Sequence, residues 1–161
     1  MYNKLHFLSG KMASGKSTLS KKLQKEHNAV LFSEDEILAR LYPNEIHSIE
    51  DYVKYSSRIK DMMKEPIIEL LKKGSNVILD FPANTQKQRV WFKEIYHEAW
   101  VGHTLHFVDK SDDICKLQLK TRSEDLPKGS PFTTDAEYDF ITKYFEIPKK
   151  QEGFNIITYK D

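Results

Sequence analysis

Apolar residues recur along this chain in two rhythms. Short compact runs predict strands over 4–8, Ala29–Phe32, Val77–Leu79, Leu105–Val108 and Phe154–Tyr159. Between them, apolar positions three and four apart predict helices. The first covers 16–27 through Leu19 and Leu23, and a short one runs through Ile37, Leu38 and Leu41 to stop near Pro43. A long stretch from about Ile49 to Lys73 carries Val53, Ile59, Met62, Met63, Ile67, Leu70 and Leu71. Pro66 inside it is expected to kink or divide the helix, and Gly74 fits a C-terminal stop. Further helices are predicted over 86–100, 112–122 and 134–146, the last with Tyr138, Ile141 and Phe145 and with Pro148 beyond. Ser33 and Glu36 have the spacing of a capping box.

Strands that alternate with helices predict an α/β fold, a three-layer αβα sandwich around a parallel sheet. Residues 1–161 read as one domain, with no repeat or linker dividing it. In such sheets ligands bind beyond the carboxyl ends of the strands. That rule gathers the residues after strand one, Asp35 after strand two, Asp80 and Asn84 after strand three, and Asp109 after strand four on one edge.

The residues after strand one are Gly10-Lys11-Met12-Ala13-Ser14-Gly15-Lys16-Ser17-Thr18, which fit the phosphate-binding loop G-x-x-x-x-G-K-[ST] in its strand–loop–helix context. Gly10 and Gly15 free the backbone for a tight turn and a close approach to a ligand. Successive N–H groups and the helix N-terminus then face an anion. Lys16 is placed to reach the β- and γ-phosphates, and Ser17 to ligate Mg²⁺. Thr18 belongs to the first helical turn.

Composition narrows the setting. The 161 residues include 25 Lys and Arg against 24 Asp and Glu, a formal net charge of +1, so no global basic field favours nucleic acid over a small-molecule partner. The one cysteine, Cys115, excludes a disulfide framework, points to a reducing compartment and reads as a small core residue. Leu5–Leu8 is too short for a signal peptide, and no run approaches a membrane span, so a cytoplasmic protein is expected. A monomer or weak dimer is expected. The six histidines show no metal-ligand spacing.

Asp80, at the end of an apolar strand, suits Mg²⁺ binding beside Ser17. Asp35 suits general-base work on an acceptor hydroxyl or, equally, an acidic helix start. Arg122 opens the polar segment Ser123–Thr133, which has the composition of a short lid, and can stabilise charge on a transferred phosphoryl group. Lys116, Lys120 and Lys128 add weaker positive candidates. Arg40, Asn84 and Arg89 are candidates for substrate contact, and Arg58, Tyr42, Tyr52 and Tyr55 lie near the same pocket. No guanine-reading N/T-K-x-D motif is present, because Asp109-Lys110-Ser111-Asp112 lacks the Asn or Thr, so ATP is preferred over GTP.

Taken together, Gly10–Thr18, Ser33 and Asp35, Asp80 with Arg89 downstream, and Arg122 before a polar segment resemble the zeta-toxin-like small P-loop kinases, a group similar to chloramphenicol phosphotransferase, polynucleotide kinase and gluconate kinase. The resemblance implies strand order 2-3-1-4-5 and ATP-dependent phosphorylation of a hydroxyl, with Mg²⁺. It also implies Asp35 as catalytic base and Arg122 as lid arginine, acting with Lys16. A polynucleotide 5′-hydroxyl kinase and a nucleotide-dependent regulatory ATPase without kinase activity are the alternatives.

Overall fold

The structure, a computed structural model, describes residues 2–127 and 130–161, so Lys128 of the polar segment lies outside the described residues. Strands β1 (Lys4–Gly10), β2 (Val30–Ser33), β3 (Val77–Asp80), β4 (Gly102–Asp109) and β5 (Ile156–Lys160) form one sheet in the order β2-β3-β1-β4-β5. Every pairing is parallel. The crossovers carry helices α1 (Lys16–His27), α2 (Glu34–Leu41), α3 (Ile49–Lys72), α4 (Gln86–Ala99), α5 (Asp112–Ser123) and α6 (Asp135–Thr142). The predicted fold class and strand order are those observed.

Alternation along the central strands divides the core. Leu5 and Phe7 of β1, Val77 and Leu79 of β3, and Leu105 of β4 join Ile67, Ile68 and Leu71 of α3 and Phe92 and Ile95 of α4 in one large cluster. Phe7 and Phe92 stack with centroids 4.6 Å apart at its centre. The opposite face is smaller: Leu8, Ile78 and Leu23 of α1 form its apolar part. Beside them His6 and His106 are buried, with His6 Nδ1 3.0 Å from His106 Nε2 and His106 Nδ1 2.8 Å from the Tyr159 hydroxyl.

Element ends depart from the hydrophobic pattern where polar residues continue a strand. β1 runs through Ser9 and Gly10 because both pair with β4, opposite Phe107 and Val108. β4 likewise starts at Gly102, opposite Lys4. β5 begins at Ile156 rather than Phe154, whose ring instead meets Phe7 edge-on. α6 ends at Thr142, four residues early, where the chain turns so that the Glu146 N–H donates to the Asn84 carbonyl. Pro66 does not divide α3, which is continuous from Ile49 to Lys72. Pro66 is exposed, and Met62, whose carbonyl loses its partner, is 73% exposed, so water can replace the missing N–H. The helix stops as expected: Gly74 takes φ +97°, and the Gly74 and Ser75 N–H groups donate back to Leu71 and Leu70.

The buried histidines make stability depend on pH. Burial, reinforced by His27, holds the pKa of His6 down at about 3 and that of His106 at about 4. Unfolding returns both toward about 6.5, so the unfolded chain binds more protons as pH falls below that value, and stability is lost from there to about pH 4 through His106 and to about pH 3 through His6. At pH 5 each imidazole accounts for about 2 kcal/mol of that loss. Denaturant titrations at pH 8 and pH 5 should show a smaller loss for His106→Gln than for the natural chain by about that amount. Equal losses in the two proteins would refute the assignment.

Candidate active site

The loop after β1 is shaped by two different backbone demands. Ala13 and Gly15 take left-handed conformations, φ +62° and +104°. Gly10 does not, and its constraint is space: a Cβ there would lie 2.7 Å from the Ser14 hydroxyl and 2.9 Å from the Val108 carbonyl. Gly10 N–H donates to the Asn84 side-chain oxygen at 3.0 Å, tying the loop to the segment after β3. On the other side, Lys11 pairs with Asp112 at 2.9 Å, and Asp112 also accepts from the Tyr138 hydroxyl at 2.7 Å. Met12 and Ala13 pack on buried Cys115, Leu119 and Tyr138, so Cys115 is the core residue its helical position predicts.

Lys16 folds back onto the loop, its ammonium donating to the carbonyls of Gly10 at 2.5 Å and Lys11 at 3.0 Å. Burial pulls its pKa down to about 8; Asp80 opposes the shift, Arg122 adds to it, and Asp35 opposes it more weakly. Asp80, Arg122 and Asp35 are all near enough for their charges to act on this ammonium. The Ser17 hydroxyl donates to Asp80 at 2.9 Å. Burial pushes the Asp80 carboxyl above its usual range, with the Ser17 hydrogen bond opposing. Buried Ser14 Oγ has no hydrogen-bond partner among the described residues. An orphaned hydroxyl, an ammonium on neutral carbonyls and a hydroxyl–carboxylate pair fit a phosphate with a divalent cation.

The remaining candidates separate. Asp35 is exposed in the first turn of α2, whose N-cap Ser33 accepts from the Glu36 N–H. Arg122 is exposed in the last turn of α5. Arg40 is exposed at the far end of α2, turned about 140° from Asp35. Asn84 serves the loop directly: besides Gly10, its own N–H donates to Gln88, and its carbonyl receives Glu146. The expectation that Arg89 contacts substrate is corrected. Its guanidinium is fully buried, donating to both carboxylate oxygens of Glu152 at 2.8 and 3.1 Å and to the Ala83 carbonyl at 2.9 Å. It braces α4 against the turn before β5. Tyr42 and Tyr55 stack with centroids 4.0 Å apart.

Glu34 belongs to no motif in the sequence and was not among the candidates. It is 1% exposed, and its carboxylate accepts hydrogen bonds from the hydroxyls of Tyr52 and, at 2.7 Å, Ser56. The signal was the four-residue spacing of Tyr52, Ser56 and Lys60, a polar stripe on an otherwise apolar helix face.

A family profile described as an AAA domain matches residues 5–147. No curated protein sequence matches the chain. Among solved structures, a putative kinase from Chloroflexus aurantiacus is similar with a TM-score of 0.73 and 17% identity, covering 99% of this chain and 89% of that one. The Mycobacterium tuberculosis APS kinase CysC, in complex with AMPPNP and APS, is similar with a TM-score of 0.64 and 17% identity, covering 99% and 88%. A chain of the Pnkp1/Rnl/Hen1 RNA repair complex is similar with a TM-score of 0.70 and 21% identity, and this chain spans 47% of it. The architecture is therefore that of the small P-loop kinases. No helix among the described residues is long and apolar enough to cross a membrane.

The buried ion pair gives a test. Arg89→Met removes the guanidinium donors to Glu152 and to the Ala83 carbonyl and should destabilise the fold by about 3 kcal/mol. An unchanged thermal midpoint would contradict the bracing role.

Proposed function

This chain belongs to the AAA domain family, and we propose that it is an ATP-dependent kinase that transfers the γ-phosphoryl group to a hydroxyl of a small molecule. The observation that carries the reading is the Ser17–Asp80 pair at 2.9 Å beside Lys16, whose electrostatic surroundings include both Asp35 and Arg122. In this reading one edge of the sheet supplies a phosphate cradle, a cation site, an acceptor-side carboxylate in Asp35 and a positive charge in Arg122.

In this reading the amides of Gly10–Thr18 and the Lys16 ammonium hold the β- and γ-phosphates, the ammonium exchanging the Gly10 and Lys11 carbonyls for anionic oxygens. Ser17 and Asp80 would hold Mg²⁺, which when bound neutralises phosphate charge. Asp35 orients the acceptor hydroxyl and takes its proton as the oxygen bonds to the γ-phosphorus and the bond to the ADP oxygen breaks. Arg122 stabilises the charge that the transition state spreads over the transferred group and the leaving oxygen. The nearly balanced charge of the chain suits a small acceptor better than a polynucleotide. A cytoplasmic setting accords with its single, buried cysteine.

The test separates binding from chemistry. Asp35→Asn should bind Mg·ATP within about twofold of the natural chain while acceptor-dependent turnover falls by roughly a hundredfold or more. Full turnover by this variant, assayed with pooled sugars, aminoglycosides and nucleosides, would remove Asp35 from the role of base.

A further inference from the structure

Glu34 is an expensive residue where it stands. A glutamate in the first turn of a helix is well served by water, yet this one is buried beneath α3. Burial pushes its carboxyl above the usual range, while the hydrogen bonds from Tyr52 and Ser56 and the nearby Lys60 ammonium pull it back. Tyr52 and Ser56, four residues apart on α3, fasten α2 to it at the position immediately before Asp35, and Lys60 one turn further on adds a nearby positive charge.

A second feature reaches the same tyrosine from elsewhere in the chain. The Phe132 ring meets the Tyr52 ring edge-on, with centroids 6.4 Å apart and planes at 73°. Phe132 holds φ +61°, a conformation unfavourable for an aromatic residue. Glu137 at the start of α6 maintains it, accepting from the N–H groups of Phe132 at 2.6 Å, Thr133 at 3.1 Å and Thr134 at 3.2 Å. A strained aromatic fixed by a dedicated carboxylate, set against a tyrosine fixed by a buried one, forms a continuous path from the segment before α6 to the first turn of α2.

We propose that Tyr52 and Glu34 are positioning residues, through which the seating of Phe132 sets the orientation of the α2 first turn and so of Asp35. The inference rests on the reading of Asp35 as the acceptor-side base, although the contact path itself does not. Tyr52 acts through Glu34 and touches no reacting atom in this account.

Hydrogen exchange followed by mass spectrometry tests the path in the 161-residue chain without an acceptor. In Tyr52→Phe and in Phe132→Ala, exchange in the peptide covering residues 33–41 should rise roughly threefold or more. The double variant should show no more than the larger single effect, and Phe132→Trp should restore protection. Unchanged α2 exchange in Phe132→Ala, or single effects that multiply in the double variant, would overturn the proposal. Asp35→Asn turnover, measured alongside, keeps the two readings apart. Activity in that variant removes the base but leaves the exchange result standing. Inactivity together with multiplying exchange effects removes the path alone.

Discussion

The contact on which this site most depends is the one at Gly10. There the end of β1 passes so close to Val108 and Ser14 that no side chain fits, and its N–H is held by Asn84 from the segment after β3. Parallel strands bring those segments together at their carboxyl ends, but they do not by themselves fix a loop. The Asn84 bracket on one side and the Lys11–Asp112–Tyr138 chain on the other hold the phosphate loop between α4, α5 and α6. Lys16, Ser17 and Asp80 derive their arrangement from that frame. A preorganised cradle of this kind carries its ordering cost in the folding of the sheet rather than in the binding of a ligand.

The two faces of the sheet divide the work of stability and chemistry. The α3–α4 face carries the large apolar cluster. The α1 face is thinner and contains a buried pair of imidazoles linked to Tyr159. Burying neutral histidines is tolerable at neutral pH and costly in acid, so the molecule's acid sensitivity is set on the same face as the helix that leaves the phosphate loop.

Much of this was legible in the chain. Alternating strand and helix patterns predicted the sheet and its class, and the nine residues from Gly10 to Thr18 named the loop because their spacing reflects a backbone requirement. Strand ends were less legible, since Ser9, Gly10 and Gly102 pair through the backbone and leave no hydrophobic trace. Pro66 was misjudged because its cost depends on exposure, which a sequence does not display. Arg89 was misplaced, and Glu34 passed over, for a related reason. A charged residue reads as a surface residue until its partner is known, and Glu152 and Tyr52 lie 63 and 18 residues away along the chain. Both became visible only when the fold closed those separations.

In the proposed function this cradle directs a phosphoryl group to an organic hydroxyl rather than to water. The most direct measurement follows the γ-phosphoryl of Mg·ATP in ¹⁸O-labelled water with pooled hydroxyl acceptors, comparing the natural chain with Lys16→Ala. A kinase leaves the γ-phosphoryl on an organic acceptor, without solvent oxygen, and Lys16→Ala abolishes that product. Recovery only as inorganic phosphate bearing solvent oxygen, at a rate indifferent to every acceptor, would contradict it.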